Sequence, residues 1–187
     1  MPKVCILGLG NPGKKYSGTR HNIGKDWVIQ YCLENQIDLI IKNKLDASVA
    51  MSVDDKVLWG FPNLYVNESG QSVKKIIRNN SLELPSTIVI HDDLDLPAGT
   101  LRLKIEGGHG GHNGLRDIIS LVGSNFIRRR VGIGHPGDKI DVTNWVLGKF
   151  KPQEKDTLAN SYIEFLNIVD LLADCQIEQA QMKLHTG

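Results

Sequence analysis

The 187 residues hold few cysteines, little aromatic surface, almost no net charge and no long apolar run, and each shortage closes off a class of protein. Cys5, Cys32 and Cys175 are too few and too scattered for a disulfide framework or a zinc spacing, so a reducing compartment is expected. No hydrophobic stretch approaches the roughly 20 residues of a membrane span. Met1-Pro2-Lys3 leads straight into Val4-Cys5-Ile6-Leu7, with no room for the apolar core of a signal peptide. Pro/Ser-rich linkers, internal repeats and low-complexity tracts are also lacking. What remains is a cytoplasmic globular chain with 41% hydrophobic and 23% charged residues. At this length a chain buries roughly 70% of its unfolded surface, so one domain over residues 1–187 needs no staple.

Acidic residues are missing from one end altogether. Residues 1–25 hold five Lys/Arg and no Asp/Glu, and residues 100–151 hold nine against four. These stretches together carry +10 while the other 110 residues carry −9, an asymmetry that favours a polyanionic partner on one face. A pI of about 7.7 argues against a general nucleic-acid coat. Ten of the nineteen glycines fall in the same regions, at Gly8–Gly24 and Gly107–Gly114, which marks both as shaped loops.

Between these loops the periodicity reads as α/β. Val4–Leu9 and Thr87–Ile90 are apolar runs typical of buried strands, the second delivering His91-Asp92-Asp93 at its carboxyl end. Ala47–Val53 and Lys56–Phe61 form a hairpin about Asp54-Asp55. Leu101–Ile105 alternates, with Arg102 and Lys104 on one face, and Arg130–Gly134 is a further strand. Helical spacing runs from Ile23 to Asn35, through Ser69, Val73, Ile76 and Ile77, from Leu115 to Val122, and without interruption from Gln153 to Met182. The expected fold is a mixed, twisted sheet with helices on both faces.

Gly8-Leu9-Gly10-Asn11-Pro12-Gly13 matches a dinucleotide-binding fingerprint, but Lys14–Asn22 lacks the apolar periodicity of the helix that the motif must open. His91-Asp92-Asp93-Leu94-Asp95 and His109-Gly110-Gly111-His112 together invite a metal reading. The two closely spaced histidines lie among glycines rather than on a helix, no Cys or Glu completes a set, and Asp93 and Asp95 suit the turn before Pro97, so no metal is expected. His21, in the polar cluster Thr19–Asn22, becomes a general base if a carboxylate fixes its tautomer, and Asp92 at a strand end is the candidate. Asn11, Asn22, Asn67 and Asn113 either cap and turn the chain or supply amides to a carbonyl and an oxyanion. No Ser or Cys sits in a nucleophile elbow, which favours direct attack by water. Arg102, Lys104, Arg128, Arg129 and Arg130 form either a phosphate-holding set or a solvated basic face.

Four ordered blocks resemble the bacterial-type peptidyl-tRNA hydrolase family: Gly8–Gly24, His91–Pro97, Gly107–Leu115 and Val131–Gly137. The resemblance implies a monomeric, cofactor-free cytoplasmic esterase that frees peptides from peptidyl-tRNA dropped by stalled or aborted ribosomes, with the large ribosomal subunit as a further partner. On matching positions, His21 would be the general base and Asp92 its support, while Asn11 would distinguish a blocked aminoacyl group from a free one. Tyr16, Tyr65, Asn67 and Asn113 would contact the tRNA 3′ end or the peptide backbone, and Arg102, Lys104 and Arg130 would hold phosphate. The segment from His135 to Gly148 would move over the cleft. Leu64 and Val66 stand where the family usually has threonine and methionine, and the shorter Val66 would leave less apolar contact beside His21. Plastid relatives thought to bind RNA without hydrolysis supply the alternative function, and a metal-dependent hydrolase is a third.

Overall fold

Strands that read as unbroken apolar runs need cover on both faces, and the chain supplies it in two layers of helix. A computed structural model describes residues 1–137 and 141–185; residues 138–140 of the segment His135–Gly148 lie outside the described residues. Among the described residues, seven strands make one mixed sheet: β1 (Val4–Gly8), β2 (Ile40–Lys42), β3 (Ala47–Met51), β4 (Val57–Pro62), β5 (Thr87–Asp93), β6 (Leu101–Ile105) and β7 (Ile127–Gly132). Their order across the sheet is β2-β3-β4-β1-β5-β7-β6. The central four are parallel, and the outer strands β2, β3 and β6 join antiparallel.

Period-two alternation sends Val4 and Ile6 to one face and Cys5 and Leu7 to the other. The first face packs under α1 (Ile23–Glu34), α5 (Pro152–Leu166), α6 (Val169–Ala173) and α7 (Ile177–His185), with Trp27, Trp59 and Phe165 at its centre. Tyr31 stacks on the fully buried Trp59 with ring centroids 4.0 Å apart, a contact worth about 1 kcal/mol beyond its area. The second face packs under α2 (Ser69–Asn79) and α3 (Asn113–Val122) through Val73, Ile76, Leu115 and Ile118. Remaining between β7 and α5 is the short α4 (Val142–Leu147), which buries no residue of its own.

Three expectations are corrected. The continuous C-terminal helix is broken after Leu166 and again after Ala173, where Cys175 takes a left-handed φ of 58°. The apolar spacing survives these bends because Ile168, Val169 and Leu172 still point into the core. The strand expected from Arg130 begins at Ile127. Third, Arg129 shares no face with Arg128 and Arg130: it turns to the first layer, fully buried beside the Phe165 ring at 5.8 Å, and cannot hold an external phosphate. Its Nε, Nη1 and Nη2 find no hydrogen-bond partner among the described residues, and burial pushes its pKa down to about 9. All three cysteines are free, with Cys5 and Cys32 buried. No helix among the described residues is long and apolar enough to cross a membrane.

Candidate active site

The carboxyl ends of the parallel strands open into one cleft, the usual place for a ligand in an α/β sheet. What brings the polar loop after β1 over the end of β5 is a missing pair of side chains. A Cβ on Gly24 would stand 2.1 Å from the Ile90 carbonyl oxygen, and one on Gly8 would stand 2.1 Å from that of Gly24. The start of α1 therefore rests directly on the backbone of β1 and β5. The 3-10 turn Arg20–Asn22 that precedes it is pressed against Asp92. Of the fingerprint-like glycines, Gly8 and Gly10 thus serve packing against the start of α1 while Gly13 supplies a φ of 98°, and Lys14–Asn22 forms only short 3-10 turns, as its lack of periodicity implied.

His21 Nδ1 lies 2.9 and 3.0 Å from the two oxygens of Asp92. With Nδ1–H donating to the carboxylate, Nε2 carries the lone pair on a ring that lines the cleft. Burial works against a charged ring, but the Asp92 carboxylate and its hydrogen bond outweigh it and raise the His21 pKa above the ordinary 6.5. Asp92 is itself 3% exposed. Burial would favour its protonated form, yet the charge and N–H donation of the neighbouring imidazoles hold its pKa well below the usual carboxylate range.

A second histidine bonds to the same carboxylate: His112 Nε2 is 2.8 Å from Asp92 Oδ1. His112 is also the N-cap of α3, its Nδ1 accepting the backbone N–H of Gly114 at 3.1 Å and of Leu115 at 3.3 Å. A nitrogen that accepts from two amides carries no proton, so the ring is the Nε2–H tautomer and donates to Asp92. The sequence singled out His112 only as a possible metal ligand. Histidine is not among the usual capping residues, and Asn113 was the apparent cap. With that task taken by His112, Asn113 at the first helical position lines the cleft. His91 is buried behind them, and desolvation with the adjacent His112 lowers its pKa to about 3.

Asn11 and Asn22 brace each other: the Asn11 N–H donates to Asn22 Oδ1 at 2.8 Å, and Asn22 Nδ2 to the Asn11 carbonyl at 3.0 Å. Asn11 Oδ1 accepts the Val66 N–H at 2.9 Å, so its amide nitrogen is the donor it offers to the cleft. Asn22, 1% exposed, is a brace rather than a cleft group. Val66 is buried against Gly114, where a Cβ would meet its Cγ1 at 2.8 Å, so it closes the floor between the two glycine loops.

The cleft encloses about 570 Å³. Tyr65, Asn67, Lys104, Arg128 and Arg130 line one part of it, and Val142, Thr143, Val146 and Leu147 of α4 wall another. Arg102 pairs with Arg130 across β6 and β7, and Lys104 with Arg128, so the four share a sheet face. Arg102 is exposed beyond the cleft lining, and Arg130 is tied to Asp93 by a 2.6 Å Nε–Oδ2 bond. The Arg128 guanidinium is held by the carbonyls of Glu106 and Gly108. Tyr16 lies outside the cleft lining, edge-on to the half-exposed Tyr65 with centroids 6.3 Å apart. Asp93 Oδ1 accepts the Asp95 N–H at 2.9 Å, the turn role read from the sequence.

Among the described residues, His21, Asp92 and His112 place donor atoms within 4.8 Å of one another, a spacing open to a cation. Asp92 and His112 belong to the metal reading considered above, and His21 stands here in place of His91, His109, Asp93 and Asp95. The grouping fits a metal poorly, because a cation on His112 Nε2 would require Nδ1–H, which would meet the capping amides head on.

The family model described as "Peptidyl-tRNA hydrolase" matches residues 5–187. A peptidyl-tRNA hydrolase of Hahella chejuensis is 42% identical over 190 residues, covering 99% of this chain and 97% of the relative. One from Francisella tularensis subsp. tularensis is 38% identical over 190 residues, covering 100% of both. The crystal structure of peptidyl-tRNA hydrolase from Acinetobacter baumannii superposes with a TM-score of 0.93 at 39% identity, covering 97% of this chain and 94% of that one.

Proposed function

The chain belongs to the peptidyl-tRNA hydrolase family, and from that premise we infer that it cleaves the ester between a peptide and the tRNA 3′ end by water attack, with His21 as general base. The single observation that carries the mechanism is the His21–Asp92 pair, which orients Nδ1–H toward a buried carboxylate and leaves Nε2 basic at the cleft wall. Nε2 takes a proton from water as the oxygen attacks the ester carbonyl, and cleft amides donate to the developing oxyanion. Collapse breaks the bond to the ribose oxygen, which recovers the proton from the imidazolium. Asp92 stabilises the imidazolium that this transfer forms.

Asn11, its Oδ1 already occupied, presents an N–H donor suited to the carbonyl of a blocked amino group and repelled by a free ammonium. Tyr65, Asn67 and Asn113 contact the tRNA end or the peptide backbone, with Tyr16 as support behind Tyr65. Lys104 and Arg130 hold phosphate, with Arg102 extending the basic face outward. The protein acts without a cofactor, as a single-domain cytoplasmic monomer, on peptidyl-tRNA dropped from stalled or aborted ribosomes, and it meets the large ribosomal subunit there.

The test is release of labelled N-acetylaminoacyl group from tRNA in EDTA. The native protein is expected to cleave this substrate and spare the unblocked aminoacyl-tRNA, while His21→Ala loses about a thousandfold in kcat with tRNA affinity kept. Retained turnover by His21→Ala would remove the general-base assignment. Intact tRNA binding with no turnover by the native protein would make this an RNA-binding module.

A further inference from the structure

Arg20 precedes His21 in the chain and is 4% exposed, an unusual fate for an arginine. Its guanidinium donates through Nη2 to Glu154 Oε2 at 2.9 Å and Oε1 at 3.3 Å, and through Nη1 to the Trp145 carbonyl at 3.2 Å. The same plane lies over the Trp145 ring with Cζ 3.7 Å from its centroid, and Phe150 flanks it at 5.4 Å. The backbone repeats the connection: the Arg20 N–H donates to the Gly148 carbonyl at 2.9 Å, and Thr19 forms an antiparallel bridge with Lys149.

These contacts gather on α4 and the residues that follow it; α4 has no fully buried side chain and meets the core only through the partly buried Trp145 and Val146. Its cleft side presents Val142, Val146 and Leu147, and Trp145 on the other side supplies the grip, with Nε1 donating to the Gly134 carbonyl at 3.0 Å. Glu154 is engaged independently, since its Oε2 also accepts the Lys151 N–H at 2.6 Å at the start of α5. Among the described residues, Arg20 is therefore the side chain of the catalytic turn that bonds or stacks with both α4 and α5. The geometry needs an arginine, because only a planar fork bonds two acceptors edge-on while its face stacks on an indole.

We propose that Arg20 is a positioning residue: it clamps the cleft wall α4 to the turn that carries His21, and so sets the width of the cleft that receives the peptide end of the substrate. The inference rests on the hydrolase reading of that cleft. His21 itself stays in place without the clamp, because Gly8 and Gly24 seat α1 on the strands. Loss of the clamp is thus a binding defect and not a chemical one.

The experiment compares Arg20→Lys, Trp145→Ala and the double variant by hydrogen exchange over residues 142–148 and by kinetics on N-acetylaminoacyl-tRNA. Arg20→Lys is expected to speed exchange in α4 selectively and to raise KM by about fivefold or more, with kcat within about twofold and the acid limb of the pH profile unmoved. Trp145→Ala reproduces both changes, and the double variant adds little to either, because the two residues act as one contact. Trp145 is only partly buried, so its variant carries the test should Arg20→Lys fail to fold. Unchanged exchange in α4, additive KM effects, or a lower melting temperature with KM untouched would overturn the clamp. Wild-type protein without turnover would instead refute the hydrolase reading, and the exchange rates would still decide the clamp.

Discussion

Two glycine-rich segments look alike in the sequence and each delivers one histidine to Asp92, yet Gly24 in the first and Gly110 and Gly111 in the second are glycine for opposite reasons. At Gly24, in the first turn of α1, the requirement is space: an added methyl would collide with the Ile90 carbonyl oxygen at 2.1 Å. In the loop before α3 it is backbone conformation. Gly110 and Gly111 have φ of 57° and 84° with nothing within 4 Å of where a Cβ would stand. The first loop is fixed by contact with the sheet and holds the proposed base. The second is shaped by its own dihedrals and holds the histidine that supports the carboxylate. Composition locates such loops, but only packing says which kind each is.

The comparison breaks most readily at Gly24. Gly24→Ala is expected to cost about 3 kcal/mol or more in urea denaturation, since backbone on both sides must shift; a loss below 1 kcal/mol would mean that the two loops are alike after all. At the carboxylate between them, Asp92→Asn is expected to lower kcat/KM by about a hundredfold. The neutral ring is the active form, so activity rises with pH through the His21 pKa, and in the native protein this limb lies above 6.5. Removing the carboxylate that raises that pKa moves the limb to lower pH, and a pH–rate series that shows no such movement contradicts the pairing. His112→Ala, on the second loop, leaves His21 bonded to Asp92 and should cost about tenfold in kcat together with roughly 1 kcal/mol for the lost cap. A loss as large as that of His21→Ala would make the second histidine a direct participant. Smallest is Gly110→Ala, expected at about 1–2 kcal/mol from the left-handed backbone alone, with KM and kcat preserved.

Much of this architecture is legible in the chain because the parallel strands β1, β4 and β5 are largely apolar on both faces and punctuated by turns. Thr87–Ile90 led directly to Asp92, and the polar cluster at Thr19–Asn22 to His21. Short, exposed elements were not legible. β2 is three exposed residues at a sheet edge, and α4 is six residues with none fully buried, too short to show a period. Arg129 was misplaced by reading a run of like charges as one surface, although strand alternation puts neighbours on opposite faces. His112 was hidden by an atypical cap, and Arg20 by distance, for its partners stand 125 and 134 positions away.

The histidine cap of α3 makes the proton arrangement of the site conditional on a secondary structure. Should the first turn of that helix fray, the amides of Gly114 and Leu115 leave Nδ1, the ring is free to exchange tautomers, and Asp92 loses an assured donor. Helix ends open far more often than cores unfold. Catalytic competence should therefore decline on heating before the sheet melts, so that the temperature of inactivation reports the grip of a single helical turn.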